Sequence, residues 1–112
     1  MTDNSRILVI DDDENIRKVL ETILTDEGYI VETADTAAKG IEKSEKSFFN
    51  IALVDVRLPD MEGIDLLPKL RETKPRMRKI IVTGYPTLQN AITAVNNGAT
   101  AYVMKPFDVE KI

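Results

Sequence analysis

Short apolar runs alternate with stretches of helical periodicity along the whole chain. The first run, residues 6–10, stops at three consecutive aspartates, Asp11, Asp12 and Asp13. Residues 14–24 carry apolar positions at 16, 19, 20, 23 and 24, which lays one stripe along a helix. Asp13 suits the N-cap of that helix, Glu14 its positive end and Gly28 its stop. Residues 29–34 read as a second strand, rich in β-branched and aromatic side chains. Residues 36–46 read as a weaker helix with Ala37, Ala38 and Ile41 on its inner face. At 51–55 four apolar residues run into one carboxylate, Asp55, before Pro59 and Gly63 break the pattern. Such a run is a short strand buried on both faces. A helix follows at 64–73, with Ile64, Leu67 and Leu70 inward and Pro68 placed early, where a first turn tolerates it. Beyond a basic linker at 74–79 come a strand at 79–83, a helix at 87–97 ended by Gly98, and a strand at 101–104. Residues 108–112 open a further helix, and the chain stops within its first turn.

Five strands alternating with amphipathic helices predict an α/β domain: a doubly wound parallel sheet, helices on both faces, right-handed crossovers. The length of 112 residues suits one domain spanning 1–112. In such a sheet the carboxyl ends of the strands share one edge, the edge where open α/β sheets bind ligands. Four of the five ends carry polar chemistry: Asp11 and Asp12, Asp55, Thr83 and Lys105. The second strand ends at Ala34 and Asp35, to which no role is assigned.

Composition narrows the chemistry. A formal net charge of −4 argues against this segment gripping nucleic acid or an anionic membrane. There is no cysteine and no histidine, which excludes disulfides, thiolate chemistry and any histidine base or ligand. No apolar run approaches the roughly 18 residues of a membrane span, and no signal-peptide pattern opens the chain. A soluble cytoplasmic protein is the expectation. Three carboxylates at one sheet edge repel one another unless a cation intervenes. Mg²⁺ prefers oxygen ligands and retained waters, and Lys105 would add a fixed positive charge. A metal and an ammonium beside a carboxylate nucleophile suit an incoming phosphoryl group, to which Thr83 could donate a hydrogen bond. Phosphoryl transfer needs mainly positioning and charge stabilisation.

The runs Val9-Ile10-Asp11-Asp12, Leu53-Val54-Asp55 with Leu58-Pro59 and Gly63, Val82-Thr83-Gly84, and Lys105-Pro106-Phe107 stand in order along the chain. Together they make it resemble the receiver domain of two-component response regulators over essentially its whole length. The resemblance implies a flavodoxin-like strand order 2-1-3-4-5 and Asp55 as acceptor of a phosphoryl group from a histidine kinase or a small phosphodonor. It implies Mg²⁺, with Mn²⁺ able to substitute, held by Asp12, Asp55 and the backbone carbonyl of Arg57, with Asp11 acting through water. Thr83 and Lys105 would contact the phosphoryl group. Tyr102 matches an aromatic position that changes rotamer on switching, and the bond before Pro106 is expected to be cis. Such a domain catalyses only its own phosphorylation and dephosphorylation. Its partners would be a sensor kinase and an effector domain or downstream protein docked on the face of the fourth helix, fifth strand and fifth helix, with a homodimer as a further option. The run from Asp55 to Pro59 looks most like receivers of NtrC-type activators. The chain departs from the family in its truncated fifth helix.

Other readings compete. Asp11 to Asp13 also suits a solvated turn, and Asp13 fits capping better than metal binding. Thr83 suits a strand for structural reasons alone, Lys105 a surface charge, Tyr102 a half-buried core position. A phosphatase of the haloacid-dehalogenase type would also use an aspartate nucleophile, Mg²⁺ and a lysine. Its Asp-x-Asp-x-Thr run is matched here only as far as Asp13, because Asn15 stands where threonine belongs. A receiver fold used only for binding would lack some of these chemical residues, all of which are present.

Overall fold

The structure, a computed structural model, describes residues 5–73, 77–83, 96, 99 and 101–104, and of 71–73, 83 and 101–104 the backbone alone. In chain order these residues form β1 (Arg6–Ile10), α1 (Glu14–Asp26), β2 (Ile30–Ala34), α2 (Ala37–Lys46), β3 (Ile51–Asp55), α3 (Gly63–Thr73), β4 (Arg78–Thr83) and β5 (Ala101–Met104). The strands make one sheet in the order β2-β1-β3-β4-β5, and every pair is parallel. Apart from Asn96, which is helical, the helix expected at 87–97 lies outside the described residues, as does the one expected from 108.

Strand alternation sorts the apolar residues into two cores. Ile7, Val9, Leu53, Ile80 and Val82 meet Leu20 and Leu24 of α1 on one face. Leu8, Ile10, Ala52, Val54 and Ile81 lie on the other, under α2 and α3. The register aligns Val9, Leu53 and Ile80 in one row and Ile10, Val54 and Ile81 in the next. Helices on both faces thus explain why β1 and β3 read as unbroken apolar runs. Each valine, leucine or isoleucine fully buried in these runs contributes about 1.5–3 kcal/mol.

Several details differ from the expectation. α1 runs to Asp26, and Gly28 closes it with φ of 96°, a backbone region open to glycine. Val19, expected on the inner stripe, is 53% exposed; it sits at the rim, and the buried contacts fall to Leu20 and Leu24. On α2 Ala37 and Ile41 face the core as expected, joined by Gly40 and Ser44, but Ala38 is exposed. α3 begins at Gly63, and Pro68 falls in its second turn, where it forgoes one backbone hydrogen bond. Leu66, Leu67 and Leu70, all buried, hold that helix in place. β4 starts at Arg78 and takes in Lys79, which is buried.

Candidate functional site

The last paired residues of β1 and β3 are Ile10 and Val54, so Asp11 and Asp55 stand side by side one step further along. Asp11 is buried, Asp55 half-buried and Asp12 exposed. One carboxylate oxygen from each of the three lies within 4.8 Å of the others.

Local hydrogen bonds hold this arrangement. The Asp11 amide donates to the Ala34 carbonyl at 3.1 Å, tying the end of β1 to that of β2. The Asp11 carboxylate accepts from the Asp13 amide at 2.9 Å, which turns the chain. Asp13 then caps α1, its Oδ1 accepting from the amides of Asn15 at 2.8 Å and Ile16 at 3.3 Å. The Arg17 guanidinium reaches back from α1 and donates to the Asp11 carbonyl at 2.7 Å. Asp13 is therefore committed to the helix, and Asp11, Asp12 and Asp55 remain as the acidic cluster.

A hard divalent cation fits that donor set. All three side chains offer oxygen. Opposite ligands of an octahedral Mg²⁺ stand about 4.2 Å apart, and the three oxygens, all within 4.8 Å of one another, are near enough to share one ion.

The loop after β3 is a narrow hairpin. Arg57 and Glu62 bridge at its base, and the Leu58 amide donates to the Met61 carbonyl at 3.2 Å. Pro59 and Asp60 form its tip. The Asp60 carboxylate accepts from the amides of Ala37 and Ala38, both at 2.9 Å, at the start of α2. Thr36 caps the next amide, that of Lys39, at 3.1 Å. The amides of Ala37 and then Ala38 hold the Asp60 carboxyl below its ordinary value of 3.8. The hairpin closes where the Gly63 amide donates to the Val56 carbonyl at 2.6 Å. A Cβ on Gly63 would lie 1.8 Å from the Asp55 carbonyl oxygen, so only glycine allows this approach.

Of the remaining expected residues, Thr83 and Tyr102 have a described backbone. Asp55 pairs in register with Val82, so Thr83 ends β4 one step beyond it. Thr83 in turn pairs with Met104, the residue before Lys105. Tyr102 pairs with Ile81 within β5. The side chains of Thr83 and Tyr102, and the whole of Lys105 and Pro106, lie outside the described residues. The Arg57 side chain is exposed. Sequence reasoning passed over Asp60 and Arg17. The one signal for Asp60 was a carboxylate following proline in a turn; its partners are 22 and 23 residues earlier. Arg17 carried no signal beyond its place on the polar side of α1.

A family model described as the response regulator receiver domain matches residues 7–112. The chain is 32% identical over 112 residues to the regulatory protein AtoC of Escherichia coli K12, covering all of this chain and 24% of AtoC. It thus spans about a quarter of that relative's length. A receiver domain protein, CheY-like, from Methanospirillum hungatei JF-1 superposes with a TM-score of 0.93 at 49% identity, over 97% of this chain and 87% of that one. A response regulator from Burkholderia pseudomallei, solved with a phosphorylated aspartic acid, a calcium ion and citrate, superposes with a TM-score of 0.92 at 32% identity, over 96% of this chain and 63% of that one. The likeness read from residues 55–59 agrees with AtoC, an NtrC-type regulator. Among the described residues no helix is long and apolar enough to cross a membrane.

Proposed function

The chain belongs to the response regulator receiver domain family of two-component signalling, and on that premise we propose that Asp55 is its phosphoacceptor in a Mg²⁺-dependent transfer. The observation that carries this reading is the gathering of Asp11, Asp12 and Asp55 at the carboxyl edge of a parallel sheet. A structurally similar protein, the Burkholderia pseudomallei response regulator, was solved with a phosphorylated aspartic acid, which supports this reading.

A carboxylate oxygen of Asp55 attacks the phosphorus of the donor. An O–P bond forms as the P–N bond to a kinase histidine, or the P–O bond of a small acyl phosphate, breaks. The bonding pair leaves with the donor. Mg²⁺, when bound, supplies the positive charge that lets three carboxylates and a phosphoryl group share one site. Asp12, Asp55 and the Arg57 carbonyl would hold it, with Asp11 acting through a water. The Thr83 hydroxyl donates to one phosphoryl oxygen, and the Lys105 ammonium pairs with another. Burial of Asp11 and its bond to the Asp13 amide keep the acidic end of β1 in place before the donor arrives.

Phosphorylation moves the domain between states only as far as it binds them differently. Thr83 and Lys105 supply that difference, with Tyr102 following on β5, and the effector surface reads it. The donor is a sensor histidine kinase or a small phosphodonor. Incubation with acetyl phosphate and Mg²⁺, followed by intact-mass analysis, should show a single phosphoryl adduct that Asp55→Ala lacks. An adduct undiminished in the variant would remove Asp55 from the role, and continuous turnover of phosphate esters would indicate a phosphatase instead.

A further inference from the structure

The hairpin between β3 and α3 is fastened at both ends. Its base is closed by the Arg57–Glu62 bridge and by the bond from the Gly63 amide to the Val56 carbonyl. Its tip reaches across to α2, where the two oxygens of Asp60 each take one amide, at 2.9 Å from Ala37 and 2.9 Å from Ala38. A carboxylate gripping two successive amides sets direction as well as position. α2 already has a cap of its own chain in Thr36. Ala37 is buried, but Ala38 and Asp60 are exposed, so water could serve the Ala38 amide if capping were the only need. What water could not supply is a fixed hold on the hairpin. Arg57 stands in the base of the hairpin, two residues beyond Asp55, between the Val56 bond and the Asp60 clasp.

We infer that Asp60 is a positioning residue for the phosphorylation site: by clasping the start of α2 it holds the hairpin bearing the Arg57 carbonyl, and so sets Mg²⁺ affinity without touching the metal. The inference rests on the proposed function, because it gives the Arg57 carbonyl its role. It makes α2 a support of the site through contacts 22 and 23 residues apart in sequence.

The test compares Asp60→Ala, Asp60→Asn and Thr36→Ala with the wild-type chain, by calorimetric Mg²⁺ titration and by the rate of phosphoryl uptake from acetyl phosphate. Asp60→Ala should weaken Mg²⁺ binding about tenfold, the lower end of what outer groups contribute to a metal site. Uptake should slow at low Mg²⁺ and recover at saturating Mg²⁺. Asp60→Asn, which keeps one acceptor oxygen, should recover part of the affinity. Thr36→Ala removes a cap from the same helix without touching the hairpin. It should lower the melting temperature and leave Mg²⁺ affinity unchanged. Wild-type affinity in Asp60→Ala, or an equal loss in Thr36→Ala, would reduce Asp60 to a helix cap and overturn the inference. A wild-type chain that takes up neither Mg²⁺ nor phosphoryl would overturn the proposed function, and the inference with it.

Discussion

Replacing Gly63 with alanine tests how tightly the acceptor strand and the following helix are joined. The new Cβ would stand 1.8 Å from the Asp55 carbonyl oxygen, 2.8 Å from its carbonyl carbon and 3.0 Å from a methyl of Val54. The nearest neighbour is backbone, so no side-chain rotation relieves the contact. Cβ atoms essentially never come within 3.0 Å of a neighbour, so the two segments must part by the 1.2 Å that separates 3.0 from 1.8. The end of β3 resists, being paired with β4 through the Val56 amide and Val82 carbonyl at 3.3 Å. Overpacking of this kind costs about 1–3 kcal/mol, and loss of the Gly63–Val56 hydrogen bond about 1 kcal/mol. Alanine's better helix propensity returns at most about 1 kcal/mol. The net loss is about 1–3 kcal/mol, or about 4–12 °C in melting temperature for a domain of this size. Because the displaced atoms belong to Asp55, the Mg²⁺ midpoint should rise as well. Gly28→Ala is the control. Its Cβ meets nothing within 4 Å and bears only the strain of a φ of 96°, about 1–2 kcal/mol. It should lower the melting temperature without changing Mg²⁺ affinity. Thermal melting by circular dichroism, with and without Mg²⁺, reads both quantities. A Gly63→Ala chain that melts with the wild type and binds Mg²⁺ equally would refute the claim that this approach requires glycine.

Three other expectations concern the loops around the site. Asp60 has its carboxyl lowered below 3.8 by the Ala37 and Ala38 amides, so its hold on α2 is full above about pH 4 and is lost as pH falls through the folded value. The amide resonances of Ala37 and Ala38 should titrate together in that acid window, and Asp60→Asn should abolish the transition. Arg17→Met, which removes the donor to the Asp11 carbonyl, should cost about 1 kcal/mol in urea unfolding; an unchanged midpoint would show the bond to be idle. Asp12→Ala should melt above wild type in EDTA, since it thins a repelling trio, and below it in excess Mg²⁺, where the wild type gains more from binding. The same order of melting in both conditions would remove Asp12 from the metal site.

The acidic edge was legible because burial and topology leave traces in one dimension. Asp55 ends a run that only a doubly covered strand explains, and Asp11 ends another. Parallel connectivity then puts both on one edge. Val19 was misplaced for a physical reason: the helical stripe gives a direction but not a width, and the sheet covers only the part under Leu20 and Leu24. Pro68 was misjudged because even from residue 64 it is the fifth helical position, past the first turn, and what tolerates it there is the burial of Leu66, Leu67 and Leu70 against other segments. Asp60 was invisible because its partners are backbone amides on another element, and any sequence at 37 and 38 other than proline would offer them. The chemistry of the site was readable, and the fastenings that hold it were not.

The central claim is that a phosphoryl group arrives on Asp55 and on no other carboxylate of the cluster. With no histidine or cysteine in the chain, a hydroxylamine-sensitive adduct is an acyl phosphate on Asp or Glu. Borohydride reduction of the acetyl-phosphate-treated chain, followed by peptide mass mapping, converts that residue to homoserine and locates it. The account predicts homoserine at position 55 alone, and only when Mg²⁺ was present. Homoserine at position 11 or 12, or a base-labile, hydroxylamine-resistant phosphate on a serine or threonine, would contradict it.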